Sequence, residues 1–133
     1  MTIEQWTPAT QTPDISSELL LQLTNLSQTW AANPEQIPEL PDGLNSTARN
    51  WLQHSEQHWQ QAIRALTPEQ QIDLAFFYVL AEMKLSGWES KDKNPAIWIF
   101  RQLKAQQQLP EKATIKYLKS LTDNRFIPYG SVL

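Results

Sequence analysis

The apolar residues of this sequence recur at helical spacing in most segments, and in one segment they cover nearly the whole circumference of the helix. That segment contains the eight-residue apolar run 74–81. Residues suited to the two ends of a helix flank it, namely Thr67 and Gln70 as a capping box, Pro68 for the first turn and Gly87 for a left-handed end. The pattern predicts a helix over 67–87 that is buried on most sides, because a surface helix would carry a polar face. The run is too short to span a bilayer, which takes about 20 residues.

Two amphipathic segments precede this helix. The first is predicted over 13–32, where apolar residues form one stripe consisting of Ile15, Leu19, Leu23, Leu26 and Trp30, widened by Leu20 and Leu21. The second is predicted over 46–66, with an N-terminal cap at Asn45 or Ser46 and an inward stripe of Ala48, Leu52, Ser55, Trp59, Ala62 or Ile63, and Leu66. The segment 33–45 contains three prolines and predicts a connection laid along the domain surface.

Two shorter helices are predicted after the central one. The first begins at Asn94 and Pro95, and its apolar residues are Ile97, Ile99, Phe100 and Leu103. The second begins at Leu109-Pro110-Glu111 and continues to about Leu121, with Ile115, Leu118 and Leu121 facing inward. The segment 125–133 combines large apolar side chains with a proline and a glycine, which predicts an ordered, extended segment pressed onto the helices.

These elements together predict an all-α, single-domain bundle of about five helices around the central helix 67–87, with residues 1–11 loose. A chain of 133 residues can bury about two thirds of its unfolded surface, so it needs no stabilising metal or disulfide. The sequence has no cysteine, which fits a reducing compartment, and its N-terminus lacks the pattern of a secretory signal. We therefore expect a cytoplasmic location.

The charges divide unevenly along the chain. Residues 1–83 carry ten acidic side chains against two basic ones, and residues 84–133 carry nine basic against four acidic, although the net charge is only −3. Two interpretations are open. Either the halves pack together and partly neutralise each other, or a basic C-terminal face meets an acidic partner.

No catalytic or metal-binding constellation is predicted. His54 and His58 stand four residues apart, at the spacing of a metal site, but the sequence offers no third histidine and no cysteine. Asp73 and Glu82 fall on opposite sides of the central helix and make no acid–base pair. None of the three glycines lies in a phosphate-binding loop. We expect a protein that is not an enzyme and that binds no cofactor or metal.

The basic residues of the C-terminal half support an alternative function. Lys112, Lys116 and Lys119 form a stripe, and Arg101 and Lys104 lie on the preceding helix. Such residues would suit contacts to phosphates, but the pI of about 5.3 is well below that of typical nucleic-acid-binding domains. The alternative is therefore a nucleic-acid-binding or regulatory helical module that uses this basic face.

The favoured function is recognition of a partner protein. Six tryptophans are many for a small core, and tryptophan and arginine are over-represented at interface hot spots. The predicted partner-binding residues are Trp51, Trp88, Trp98, Arg101 and Lys104. The alternative for the tryptophans, equally open, is that they fill the core. A second copy of the chain is another candidate partner, and no membrane partner is expected.

Three segments of the C-terminal half resemble a known family: Lys93-Asn94-Pro95-Ala96-Ile97-Trp98, the helix that begins Leu109-Pro110-Glu111-Lys112, and Asp123-Asn124-Arg125-Phe126-Ile127-Pro128-Tyr129-Gly130-Ser131. Over roughly 67–131 the sequence is similar to the CcmS-like carboxysome assembly adaptors of cyanobacteria. The resemblance implies a non-enzymatic helical adaptor of this bacterial microcompartment, which grips the C-terminal extension of a shell-forming protein and couples shell to cargo. It also implies a carboxysome-associated location.

Overall fold

The computed structural model describes residues 15–33, 42–85, 87–124 and 126–127. Within these ranges there are six α-helices and no β-strand: α1 (Ser17–Ala32), α2 (Asp42–Asn50), α3 (Glu56–Ala62), α4 (Pro68–Lys84), α5 (Pro95–Ala105) and α6 (Lys112–Ser120). Three short 3-10 helices lie between them, at Trp51–Gln53, Ile63–Ala65 and Lys91–Lys93. The prediction of an all-α fold is confirmed.

The central helix of the fold is α4, as the sequence predicts. Thr67 accepts a hydrogen bond from the Gln70 backbone N–H at 3.1 Å, and the Gln70 side chain accepts one from the Thr67 N–H at 2.9 Å, so the predicted capping box is present. Every residue from 74 to 81 is buried. The helix packs against α1 and α5, and α5 also packs against α3. The core of the domain is therefore built around α4.

The first helix begins later than the pattern predicts, because Ser16 caps α1 by accepting a hydrogen bond from the Leu19 N–H. Leu20, Leu23 and Trp30 are buried, whereas Leu21 is 40% exposed and does not widen the inward face. The Trp30 ring stacks on Phe77 of α4 at 4.8 Å. This contact joins the C-terminal half of α1 to the middle of the central helix.

The prediction of one continuous helix over 46–66 is wrong. The helix begins at Asp42, α2 ends at Asn50, and a 3-10 turn leads to His54, whose backbone is extended with ψ of 150°. Ser55 then begins α3, because its hydroxyl accepts a hydrogen bond from the His58 N–H at 3.2 Å. Ser55 is consequently an exposed capping residue and does not belong to the inward stripe.

The two parts of this interrupted segment still bury four of the residues that the pattern places inward, whereas Leu52 is half-buried and Ser55 is exposed. Ala48, Trp59, Ile63 and Leu66 are all buried. The indole N–H of Trp59 donates to the carbonyl of Trp51 at 3.0 Å across the break. The apolar spacing is therefore preserved although the helix is not.

The C-terminal end of α4 also differs from the prediction. The helix ends at Lys84, and Leu85 is its extended C-terminal cap. Gly87 does adopt the left-handed conformation, with φ of +83°, but two residues beyond that cap. A Cβ there would lie 3.1 Å from Arg49 Nη1. Gly87 therefore shapes the connection to α5 and does not end the helix directly.

Two further predictions fall largely outside the described residues. These are the surface path of 33–45, of which 34–41 are not described, and the ordered extended segment 125–133. Of the latter the structure describes Phe126, which is half-buried, and Ile127, which is 3% exposed. The segment 1–11, which the sequence predicts to be loose, lies wholly outside the described ranges.

A cluster of aromatic rings fills the space around the middle of α4. Tyr78 makes edge contacts with Trp59 and Phe77, at 5.3 and 5.1 Å, and Trp88 lies 5.8 Å from Phe77. The Tyr78 hydroxyl donates to the carbonyl of Ala48 in α2 at 3.1 Å. Tyr78 is buried, and because burial disfavours the charged phenolate, it raises the pKa of the Tyr78 hydroxyl well above its ordinary value.

We predict that ending the chain after Asn124 lowers the melting temperature by about 5 °C or more. The truncation removes Ile127 and Phe126, and burying one large apolar side chain contributes about 1.5–3 kcal/mol. Thermal unfolding followed by circular dichroism measures the change. The single variant Ile127→Ala should account for much of it. An unchanged melting temperature in both proteins would show that these two side chains do not stabilise the domain.

We predict that Tyr78 makes the protein lose stability above a pH of about 10. The unfolded chain ionises its tyrosines near that pH, whereas the folded chain keeps Tyr78 neutral because its pKa is raised. The stabilisation is therefore complete below the unfolded pKa and is lost as the pH rises beyond it. Unfolding free energies of Tyr78→Phe should fall less steeply between pH 9 and 11, roughly the window around the unfolded pKa. Parallel curves for Tyr78→Phe and the wild type would contradict the assignment.

Candidate functional site

A cleft of about 430 Å³ lies at the C-terminal end of α4. Its lining comes from three parts of the chain: the last turns of α4, the connection between α4 and α5, and the segment after α6. The lining residues are Glu82, Met83, Glu89, Lys91, Asp123, Asn124 and Phe126. The volume falls within the range of about 300–1,000 Å³ that is typical of ligand sites.

The Glu82 carboxylate holds these three parts of the chain together. Its Oε2 accepts hydrogen bonds from the backbone N–H groups of Ser90 and Lys91, at 2.8 and 2.7 Å. Its Oε1 accepts from the side-chain amides of Asn94 and Asn124, at 3.0 and 2.8 Å. A carboxylate has about four lone-pair sites, so every acceptor position of Glu82 is occupied.

The two asparagines extend this network into the neighbouring elements. Asn94 is completely buried, donates also to the Tyr78 carbonyl at 3.3 Å, and caps α5 by accepting from the Ala96 N–H at 2.8 Å. Asn124 donates also to the Lys91 carbonyl at 3.0 Å and accepts from the Phe126 N–H at 2.9 Å. We call Glu82 and its four hydrogen-bond partners the floor of the cleft. This floor is fixed to the core through side-chain hydrogen bonds, although little of it is helical.

The remaining lining residues form an apolar wall, Met83 and Phe126, and a charged rim, Glu89 and Asp123. Met83 is 39% exposed, and half-buried Phe126 lies along the same cavity. Glu89 and Asp123 are exposed, and no hydrogen bond or ion pair joins either carboxylate to another residue of the described ranges. The cleft thus combines apolar side chains with carboxylates that are available to a ligand.

The backbone of the floor has one unusual residue, Lys91, whose φ is +48°. This left-handed conformation is uncommon for a residue with a side chain. The preceding residue, Ser90, has a ψ of −13°, which turns the consecutive N–H groups of Ser90 and Lys91 towards the same oxygen of Glu82. The two charge-assisted hydrogen bonds offset the backbone strain.

Two of the predicted partner-binding residues are core residues in this structure. Trp51 is 0% exposed and lies edge-on to Trp59, with ring centroids 6.3 Å apart. Trp88 is 1% exposed, and its indole N–H donates to Asn45 Oδ1 at 3.2 Å. Neither indole presents a surface to a partner, so the expectation of exposed anchors at these two positions is not met. Both fill the core, which is the alternative that the sequence left open.

The other three predicted residues lie on α5, away from the lining of the cleft. Trp98 is half-buried, with the Arg101 guanidinium 5.4 Å from its ring centroid. Arg101 also forms an ion pair with Glu56 of α3 at 2.9 Å. Lys104 is exposed. This arrangement links α5 to α3, and a pair so exposed contributes at most about 1 kcal/mol. An interface role for Trp98, Arg101 and Lys104 stays a prediction.

The structure also describes the histidine pair and the basic residues that the sequence analysis considered. The His54 and His58 rings stack at 4.0 Å, and no group of three metal-binding side chains occurs among the described residues. Lys112, Lys116 and Lys119 are all exposed on α6. None of the described helices combines the length and the apolar character needed to cross a membrane.

The sequence pattern did not single out the cleft residues. The available signal was Glu82 itself, since a carboxylate in the last turn of a helix faces the negative end of the helix dipole. A carboxylate at this position indicates that N–H groups from other segments offset its unfavourable interaction with the helix dipole. Their identity is not visible locally, because one of them, Asn124, is 42 residues away along the chain.

Comparison with known proteins gives no relative: no protein-family model, no curated protein and no solved structure matches this chain.

We predict that Glu82→Gln lowers the free energy of unfolding by about 2 kcal/mol. The amide keeps one acceptor oxygen and turns its own NH₂ group towards two donors, at least one of them part-buried, which then lose their partner. Urea unfolding at neutral pH measures the difference. The matched control is Glu89→Gln, the same chemical change at an exposed position of the same cleft, which should be within about 0.5 kcal/mol of the wild type. Equal losses in both variants would contradict the role given to Glu82.

Proposed function

We propose that this chain is a non-catalytic binding module that recognises a segment of a partner protein in the cleft at the end of α4. The observation that carries the proposal is the composition of the cleft: exposed Met83 and half-buried Phe126 beside two carboxylates, on a floor fixed by Glu82. An apolar centre with a polar rim is the usual composition of a protein-binding site. A fixed floor lowers the entropy lost on binding.

The chemistry of the lining supports binding over catalysis. Among the lining residues that the structure describes there is no hydroxyl, thiol or imidazole, the groups most often used as nucleophile or base in an active site. The oxygens of Glu82 accept the four hydrogen bonds that hold the floor together, which gives this carboxylate a structural role. The exposed Glu89 and Asp123 can attract and orient a ligand.

The resemblance to carboxysome assembly adaptors agrees with this proposal. The family is non-enzymatic, and the implied partner is an extended peptide at the end of a shell protein. Such a peptide could lie across a surface cleft and place one or two side chains in it. In this proposal the chain is an adaptor, and the cleft replaces the tryptophan surface as the contact site.

We predict that Met83→Trp reduces capture of the partner protein about tenfold, because the larger side chain occupies the cleft. The measurement is affinity capture from a lysate of the organism that encodes the chain, treated with nuclease and quantified by mass spectrometry. The matched control is Leu21→Trp, on the exposed side of α1. A second comparison uses the double variant Lys116→Glu and Lys119→Glu on α6.

The proposal holds if one partner is captured by the wild type, by Leu21→Trp and by the α6 variant, and is lost with Met83→Trp. Capture that survives Met83→Trp but fails in the α6 variant would instead place the site on the basic face. The alternative function, nucleic-acid binding, would be favoured by two results together: nucleic acid is recovered when nuclease is omitted, and no protein is recovered when nuclease is added.

A further inference from the structure

We propose that the cleft receives a lysine or arginine side chain from the partner segment. This inference rests on the proposed function and specifies the chemistry of the partner. It depends on three properties of the cleft: the charge of its floor, the charge of its rim and the apolar character of one wall.

The floor carries the negative charge of Glu82, which forms no ion pair with a cation of the described ranges. All four hydrogen-bond partners of Glu82 are amide N–H groups, which satisfy its lone pairs but carry no formal charge. The half-buried position places this charge where water screens it less than at an open surface.

The rim adds charge of the same sign. Among the lining residues that the structure describes, the carboxylates of Glu82, Glu89 and Asp123 stand beside the ammonium group of Lys91, which gives these four side chains a formal charge of −2. Glu89 and Asp123 are exposed, so each can turn to meet a ligand. A cation that enters between them would gain two charge-assisted contacts and the longer-range attraction of Glu82.

The apolar wall explains why the cation should be a side chain and not a free ion. Lysine and arginine bury a chain of methylene groups while their charged group stays in water. Met83, at 39% exposed, offers a flexible surface for those methylene groups. Phe126 lines the same cavity and can receive a guanidinium or ammonium group against its ring. A metal ion would use only the carboxylates and leave this wall uncovered.

The direct test is an NMR titration of the uniformly ¹⁵N-labelled full chain with N-acetyl-arginine methylamide. The neutral citrulline analogue serves as the matched control, because it has nearly the same shape without the charge. Saturable shifts are expected for the backbone amides of Met83, Glu89, Ser90, Lys91 and Asn124. The same amides should respond to N-acetyl-lysine methylamide and not to the citrulline compound.

The double variant Glu89→Gln and Asp123→Asn should weaken arginine binding about fivefold. Both residues are exposed and lie outside the hydrogen-bond network of Glu82, so the fold is retained and can be checked in the same spectra. A surface control, Glu69→Gln at the other end of α4, should leave the affinity unchanged. Raising the ionic strength should weaken binding of the arginine compound.

Equal shifts with the citrulline compound, or shifts spread over acidic residues throughout the domain, would overturn the inference. The proposed function is tested separately. If Met83→Trp abolishes capture of the partner while the Glu89 and Asp123 variant captures it normally, the cleft is a binding site but not one for a cation. If neither change affects capture, both proposals fail.

Discussion

Burial of α4 on every side along 74–81 is the constraint on which the rest of the structure depends. A helix without a polar face must be surrounded, so α1 and α5 both pack against it. The large rings that complete the core also bring polar atoms with them, and these atoms need partners. Tyr78 finds the Ala48 carbonyl and Trp59 finds the Trp51 carbonyl, which ties α2 and α3 to the same centre.

This constraint also determines where a functional site on the central helix can lie. The middle of α4 is almost completely buried, and its first turn is closed by its own capping box. At the other end, Glu82 and Met83 reach the surface, and the connection to α5 and the segment after α6 meet around them. The cleft therefore lies at the place where a buried, rigid helix can support an exposed contact surface. In the proposed function, the core fixes the floor and the partner meets only the walls and rim.

The parts of the fold that were predicted correctly depend on residues close together in the sequence. The capping box of α4 lies within one turn, and an apolar run such as 74–81 indicates burial without reference to any neighbour. The break at Ser55 was missed because the apolar spacing continues through it. Ser55 occupies an inward position in that spacing, whereas its hydroxyl begins a new helix. A capping serine inside a periodic stripe is a local signal that competes with the period.

The candidate site could not be predicted from local sequence patterns, for a different reason. Trp51, Trp88 and Trp98 have the same side chain, and only the three-dimensional packing decides that the first two are buried and the third is half-buried. The partners of Glu82 likewise come from separate segments, from Ser90 to Asn124. The amphipathic periodicity of a helix predicts which of its faces is buried. It does not predict which distant N–H groups donate to a carboxylate at the end of the helix.

Native-state hydrogen exchange by NMR tests most directly the claim that α4 and Glu82 together hold the cleft. The amides of 74–81 should exchange only through global unfolding, with the largest free energy in the chain. The amides of Ser90 and Lys91 should also be strongly protected, although Ser90 lies outside any helix, because both donate to Glu82. Exchange of these two amides at the rate of an unstructured peptide, or faster exchange in 74–81 than in α6, would contradict the account.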